Sequence, residues 1–146
     1  MNKISNTLTN LFLLVSMAGI IDSAYLTFTH LQGGEIGCII LEGCDEVLKS
    51  SYSEIFNIPT AAFGLLFYFM IFILVFAYSY TGKVRLIKYA SWLTFAGFLA
   101  TLGFGYLQAF VIEAYCSYCL ISAISSTILL ILGIIVLRKN LPSSRV

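Results

Sequence analysis

Four long apolar stretches decide what this chain can fold into. They run approximately from Thr7 to Thr29, Ile58 to Tyr80, Leu86 to Ile112 and Tyr115 to Leu137. About 20 mainly apolar residues suffice to cross a hydrocarbon core of roughly 30 Å. Inside that core the backbone must satisfy its own hydrogen bonds, so such spans read as helices. The expected fold class is therefore all-α, an integral membrane four-helix bundle. Hydrophobic residues make up 60% of the chain and charged residues 10%, a balance far from that of soluble globular domains. Little sequence remains outside the spans, so residues 1–146 read as a single membrane domain with one sizeable loop over residues 30–57. Lys3 precedes the first apolar run, as in a signal peptide, but that run exceeds twenty residues, lacks a clear small-x-small cleavage site and ends in polar-aromatic sequence. It reads as a span.

Charge placement supplies the orientation. Seven of the eight Lys and Arg residues fall on one side: Lys3 before the first span, Lys83, Arg85 and Lys88 between the second and third, and Arg138, Lys139 and Arg145 after the fourth. Glu35, Glu42, Asp45, Glu46 and Glu54 lie in the loop after the first span, and Glu113 stands at the junction of the third and fourth. The positive-inside rule then puts both termini in the cytoplasm and the acidic loop outside. In a bacterial cell this is the inner (cytoplasmic) membrane, with the loop facing the periplasm or its extracytoplasmic equivalent.

That topology constrains the cysteines. Cys38, Cys44, Cys116 and Cys119 all fall on the outer side, where disulfides form and persist. Five residues separate the first pair and two the second, so each is close enough to close its own disulfide. Both pairs belong to one face of the bundle, because the loop leaves the first span and returns to the second at the end where the fourth begins. A loop pair beside a membrane-embedded pair is the arrangement an electron relay needs: thiolate attack on a disulfide, a mixed disulfide, then resolution by the neighbouring cysteine. Gly33, Gly34, Gly37 and Gly43 are expected to make the loop irregular and mobile. Cys116 and Cys119 are expected in the first turn of the fourth span, where free N–H groups and the helix dipole raise the thiolate fraction. Two plainer readings stand beside the relay. One is a pair of structural disulfides clamping the outer face, and the other is a metal site built from the four cysteines.

The remaining polar candidates are few. Asp22 is the acidic residue set inside an apolar run, and an intramembrane carboxylate is a functional candidate that can equally cap the loop or rest against a carbonyl. His30 ends the first span. Thr60, Gln108 and Ser122 are placed to donate hydrogen bonds to a carbonyl ligand or to bond between helices. Residues 45–50 suggest a short helix on the membrane surface, and Pro59 suits a helix start.

The Cys-x5-Cys of the loop, Ser50 six residues after Cys44, the run NIPTAAFGLLFY opening the second span, CSYC opening the fourth, and IDSAYLTFTH in the first together resemble the vitamin K epoxide reductase family, and its prokaryotic members most closely. The resemblance covers nearly the whole chain. It implies a four-helix bundle around a quinone pocket, with Cys119 next to the quinone, Cys116 exchanging with the loop pair, and Ser50 ordering the loop. It also implies a thioredoxin-fold (DsbA-like) thiol oxidase as the electron donor. Many prokaryotic relatives carry a fused thioredoxin-like domain after a fifth span, whereas this sequence stops at Val146, so a separate partner is expected. The vertebrate enzymes place an Asn early in the second span and a Tyr one turn after the second active-site cysteine, both on the vitamin K ring. Thr60 and Ala123 occupy those places here, which favours ubiquinone or menaquinone over vitamin K epoxide. The expected function is thus a membrane thiol-disulfide oxidoreductase supporting disulfide formation in exported proteins. A small membrane scaffold or transporter subunit with two structural disulfides is the alternative.

Overall fold

The computed structural model describes residues 4–33, 37 and 43–140. Helix α1 spans Asn6–Leu31, and the short α2 spans Cys44–Leu48. A two-stranded hairpin follows, with β1 at Glu54–Ile55 and β2 at Ile58–Pro59. Helix α3 spans Thr60–Thr81 and α4 spans Val84–Tyr106, continuing as a π-helical turn over Leu107–Ile112, and α5 spans Ser117–Asn140. Among the described residues four helices, α4 counted with its π-helical continuation, are long and apolar enough to cross a membrane. The protein is an all-α, multi-pass membrane bundle, and each span anticipated from sequence overlaps one of these helices almost end to end.

Local sequence explains the ends. Pro59 has φ −55°, already suited to a helix start, and its missing N–H costs nothing where the first N–H groups have no intrahelical partner. At the other end of α3, Gly82 takes the left-handed conformation at φ 66°, and its N–H closes on the Tyr78 carbonyl at 2.8 Å. Only glycine adopts that conformation freely, so α3 stops there and α4 begins two residues later. Between β1 and β2, Phe56 and Asn57 both have positive φ, at 54° and 61°, and they pair Ile55 with Ile58 in antiparallel register. Sequence reading missed this hairpin, since Phe-Asn is not among the strong turn pairs.

Helix α1 packs on α3 and α5, and α4 packs on the same two. The helices therefore run around the bundle in the order α1, α3, α4, α5. Small residues set the closest approaches: Gly19 lies against the Tyr68 ring, Gly97 against Phe67, and Gly133 against Thr94. Between lipid-bathed helices no hydrophobic drive favours association, so close backbone packing of this kind carries more of the energy. Leu14, Ile21, Trp92, Leu99 and Ile131 are exposed on the outside of the bundle, as a lipid-facing surface requires.

The core divides in two. One cluster, with Phe12, Tyr68, Ile71, Val75, Ile87, Leu129 and Val136, fills the body of the bundle and the end nearer Ile4. The other, Leu26, Cys44, Val47, Ala114 and Cys116, closes the opposite end. That second cluster contains two of the four cysteines and organises the site.

Candidate active site at the cysteine end of the bundle

Helix α5 begins at Ser117, so Cys116 sits just before the span and Cys119 in its first turn. The Cys116 carbonyl accepts from the Leu120 N–H at 3.1 Å, which gives Cys116 the capping place of the helix. Its thiol is held below the ordinary cysteine value. The chief cause is a hydrogen bond from the Cys119 thiol, helped by the backbone N–H groups of Cys119 and Tyr118, while burial and the charge of Asp22 oppose it. A thiolate is thus favoured at Cys116, as its place at a helix N-terminus demands. Both Cys116 and Cys119 carry free thiols, and Cys116 is fully buried.

The neighbouring elements lock this turn. The Tyr118 ring packs at a tilt against Tyr25 of α1, with ring centroids 5.2 Å apart. From the π-helical turn, the buried Gln108 accepts a long hydrogen bond from the Cys116 N–H at 3.4 Å, and its side chain also reaches the Cys119 thiol. Glu113, in the left-handed conformation at φ 55°, then reverses the chain toward Cys116. A π-helical turn in a long helix often marks a functional site, and here, as the last turn of its helix, it carries the glutamine that meets the cysteine pair. Hydrophobic periodicity gives no warning of it.

The loop approaches through Gly43 and α2. A Cβ on Gly43 would lie 2.8 Å from the Tyr115 carbonyl oxygen and 2.9 Å from its nitrogen, so only glycine permits this contact. The expected mobility of the loop glycines does not extend to this one, which is packed on the turn between α4 and α5. The contact delivers Cys44, fully buried, into the same cluster as Cys116. Cys44 is disulfide-bonded. Cys38, the other loop cysteine singled out from sequence, lies outside the described residues. The structure therefore places the disulfide-bonded Cys44 in one buried cluster with Cys116, against which Cys119 packs.

On the other side of that dithiol lies a cavity of about 510 Å³, lined mostly by apolar side chains of α3, α4 and α5. That is within the range of small-molecule sites, roughly 300–1,000 Å³. Cys119 lines it, whereas Cys116 does not. Thr60, Ser122 and Ala123 line it as well, and Ser50 and His30 stand at its loop end. Ser122 is engaged by Tyr68, whose hydroxyl donates to the Ser122 carbonyl at 2.8 Å and lies 3.0 Å from its Oγ. Thr60 donates its hydroxyl proton to the Ser53 carbonyl at 2.8 Å, so toward the cavity it offers lone pairs and a methyl group. Ser50 donates to the Val47 carbonyl at 2.7 Å and closes the end of α2. His30 meets Glu54 at 2.8 Å, tying the end of α1 to β1.

Asp22 is buried in α1 outside the cavity wall, and its Oδ2 has no hydrogen-bond partner. Ser126, buried in α5 and lining the cavity, likewise has an unpartnered hydroxyl. Sequence reading named the first and missed the second, although Ser126 falls seven residues after Cys119 and so on the same helix face. Among the described residues no group of three His, Cys, Asp or Glu side chains converges as a metal site.

The fold and site define a multi-pass membrane protein with a free cysteine pair, one member clustered with the disulfide-bonded Cys44 and the other lining an apolar cavity. Residues 10–134 match the model of the vitamin K epoxide reductase family, and the chain belongs to that family. It is accordingly a membrane redox enzyme, an oxidoreductase.

Proposed function

We propose that this enzyme passes electron pairs from a thioredoxin-fold (DsbA-like) thiol oxidase on the extracytoplasmic face to ubiquinone or menaquinone in the cytoplasmic membrane, with both of its own termini in the cytoplasm. The observation that carries this reading is the two-sided placement of the dithiol. Cys116 shares a buried cluster with the disulfide-bonded Cys44, while Cys119 lines the cavity.

Two exchanges and one oxidation complete the cycle. The partner's dithiol reduces the loop disulfide and is itself oxidised. The loop dithiol then reduces a Cys116–Cys119 disulfide, with a mixed disulfide between Cys116 and a loop cysteine on the way. Finally the Cys116–Cys119 dithiol closes to a disulfide, and its two electrons and two protons convert quinone to quinol. The quinone supplies the acceptor chemistry, and the protein's part is positioning and exclusion of water. The apolar wall of the cavity suits a lipid-soluble acceptor, and Ala123 leaves room beside Cys119 without offering a hydrogen bond.

The test is quinone reduction by purified protein in detergent, driven by a small dithiol, beside Cys119→Ala. Activity in the wild type and none in the folded variant is expected. Retained quinone reduction in the variant would sink the assignment, and an inactive, well-folded wild type would favour a scaffold with structural disulfides.

A further inference from the structure

Gln108 is the residue of the π-helical turn that faces inward: it is buried, whereas Phe110 and Val111 of the same turn are exposed. An amide buried in an apolar span needs hydrogen-bond partners, and the ones it finds belong to the cysteine pair. Its Oε1 accepts from the Cys116 N–H, and its side chain also reaches the Cys119 thiol. With the oxygen taken up by Cys116, the side chain turns its NH2 group to Cys119, and that group carries donors alone. A thiol sulfur is a weak acceptor, and an ionised one accepts more strongly. The contact therefore gains most when Cys119 is a thiolate. Cys119 and Gln108 both line the apolar cavity, where an uncompensated charge is costly.

We infer that the Gln108 amide donates a hydrogen bond to the Cys119 sulfur as it leaves the Cys116–Cys119 disulfide, making Cys119 the leaving group when a thiol attacks Cys116. This rests on the thiol exchange of the proposed function and gives one of its steps a catalytic residue. In that step the incoming thiolate forms a bond to the Cys116 sulfur and the Cys116–Cys119 bond breaks. Its electron pair departs on Cys119 as a thiolate, and no further oxidant or reductant takes part. The stability of the leaving thiolate governs the rate of such exchange. The backbone N–H groups of Cys119 and Tyr118 favour negative charge on Cys116 and so favour the opposite cleavage, in which Cys116 leaves. Gln108 is the counterweight. It lets the disulfide open from the side on which Cys116 shares its buried cluster with Cys44.

The experiment opens the oxidised Cys116–Cys119 disulfide of the purified full chain with β-mercaptoethanol in the absence of quinone. Early samples are quenched in acid, and the mixed disulfide is located by mass spectrometry. Wild type is compared with Gln108→Met and Gln108→Glu. Methionine keeps the length of the side chain and removes both bonds. Glutamate, read where its infrared band shows an ionised carboxyl, keeps an acceptor for the Cys116 N–H and removes the donor. The ratio of adduct on Cys116 to adduct on Cys119 should fall about tenfold in both variants, as loss of a hydrogen bond to a charged group predicts. A merely structural role would slow attack at both sulfurs together and leave the ratio where it was. An unchanged ratio in either folded variant therefore overturns the inference; if Gln108→Glu alone is unchanged, the glutamine serves the Cys116 backbone. A ratio that falls as expected in a protein whose wild type reduces no quinone upholds the inference and removes the proposed acceptor. A wild type in which oxidation closes no Cys116–Cys119 disulfide removes both.

Discussion

Gly43→Ala is the sharpest perturbation of the relay, because it changes one contact and substitutes none of the four cysteines. Gly43 has φ −84°, which alanine adopts without strain, so backbone conformation contributes nothing to the effect. The new methyl would sit 2.8 Å from the Tyr115 oxygen and 2.9 Å from its nitrogen, closer than carbon atoms approach such groups. Both atoms are backbone, in the short connection from the π-helical turn to α5, so the neighbour cannot swing aside. Helix α2 must move outward by several tenths of an ångström, carrying Cys44 away from Cys116. Overpacking of this kind costs about 1–3 kcal/mol. Since a 1 Å misplacement of reacting groups can cost roughly 10²-fold, a shift of this smaller size should slow exchange between the pairs by about tenfold. The assay compares quinone reduction driven by a thioredoxin-fold dithiol protein with that driven by a small dithiol reaching Cys116 directly. The first should fall about tenfold and the second should hold near wild type. Equal rates with both donors in folded Gly43→Ala would refute the idea that the loop docks through this glycine to pass electrons.

Two further outcomes follow from the packing and the thiol chemistry. Gly19→Ala should lower thermal stability by about 1–3 kcal/mol, because the added methyl overlaps the ring of Tyr68, which is itself buried and held by Ser122; a melting temperature within error of wild type would contradict that packing. Reaction of Cys116 with a small thiol reagent should persist to lower pH than for an ordinary cysteine. In Cys119→Ala, which deletes the main cause of the lowering, the profile should move to higher pH, and an unmoved profile would show that the hydrogen bond is not its source.

The bundle was legible because span length and charge asymmetry are strong, redundant signals. The four helices emerge from apolar length alone, and the cysteines declare themselves through spacing. Thr60, Ala123 and Cys119 stand out by motif position and Ser122 as a polar residue in an apolar span, and the structure places all four along one cavity. What escaped notice depends on interactions that no period encodes. The π-helical turn at Leu107–Ile112 keeps an apolar pattern while changing how many residues make a turn, and with it the surroundings of Gln108. The hairpin uses Phe56 and Asn57 in left-handed conformations, which phenylalanine rarely adopts, so residue preference gives no signal for the turn. Gly43 reads in sequence as a source of looseness but acts as a contact point, since glycine serves both uses and only the neighbour at Tyr115 distinguishes them. Ser126 was invisible because a serine in a span is ordinarily satisfied by its own helix.

Asp22 and Ser126 supply the two buried side-chain atoms without partners among the described residues, and both are associated with the cysteine end. Unsatisfied buried groups in a native structure call for an explanation, and conflict between stability and function is its usual source. For Asp22 the functional side is electrostatic: its negative charge opposes formation of the Cys116 thiolate, acting against the Cys119 hydrogen bond. Asp22→Asn removes the charge with little change of shape. The Cys116 reactivity profile should then move to lower pH, opposite in sign to the shift in Cys119→Ala and smaller, since the charge of Asp22 ranks below that hydrogen bond among its causes. Stability should change by no more than about 0.5 kcal/mol, because no hydrogen bond of Oδ2 is lost. The two variants share one assay, so a common drift of the protein cannot imitate the result. An Asp22→Asn profile that coincides with wild type, or one displaced in the same direction as Cys119→Ala, would show that the carboxyl does not act on the thiol pair.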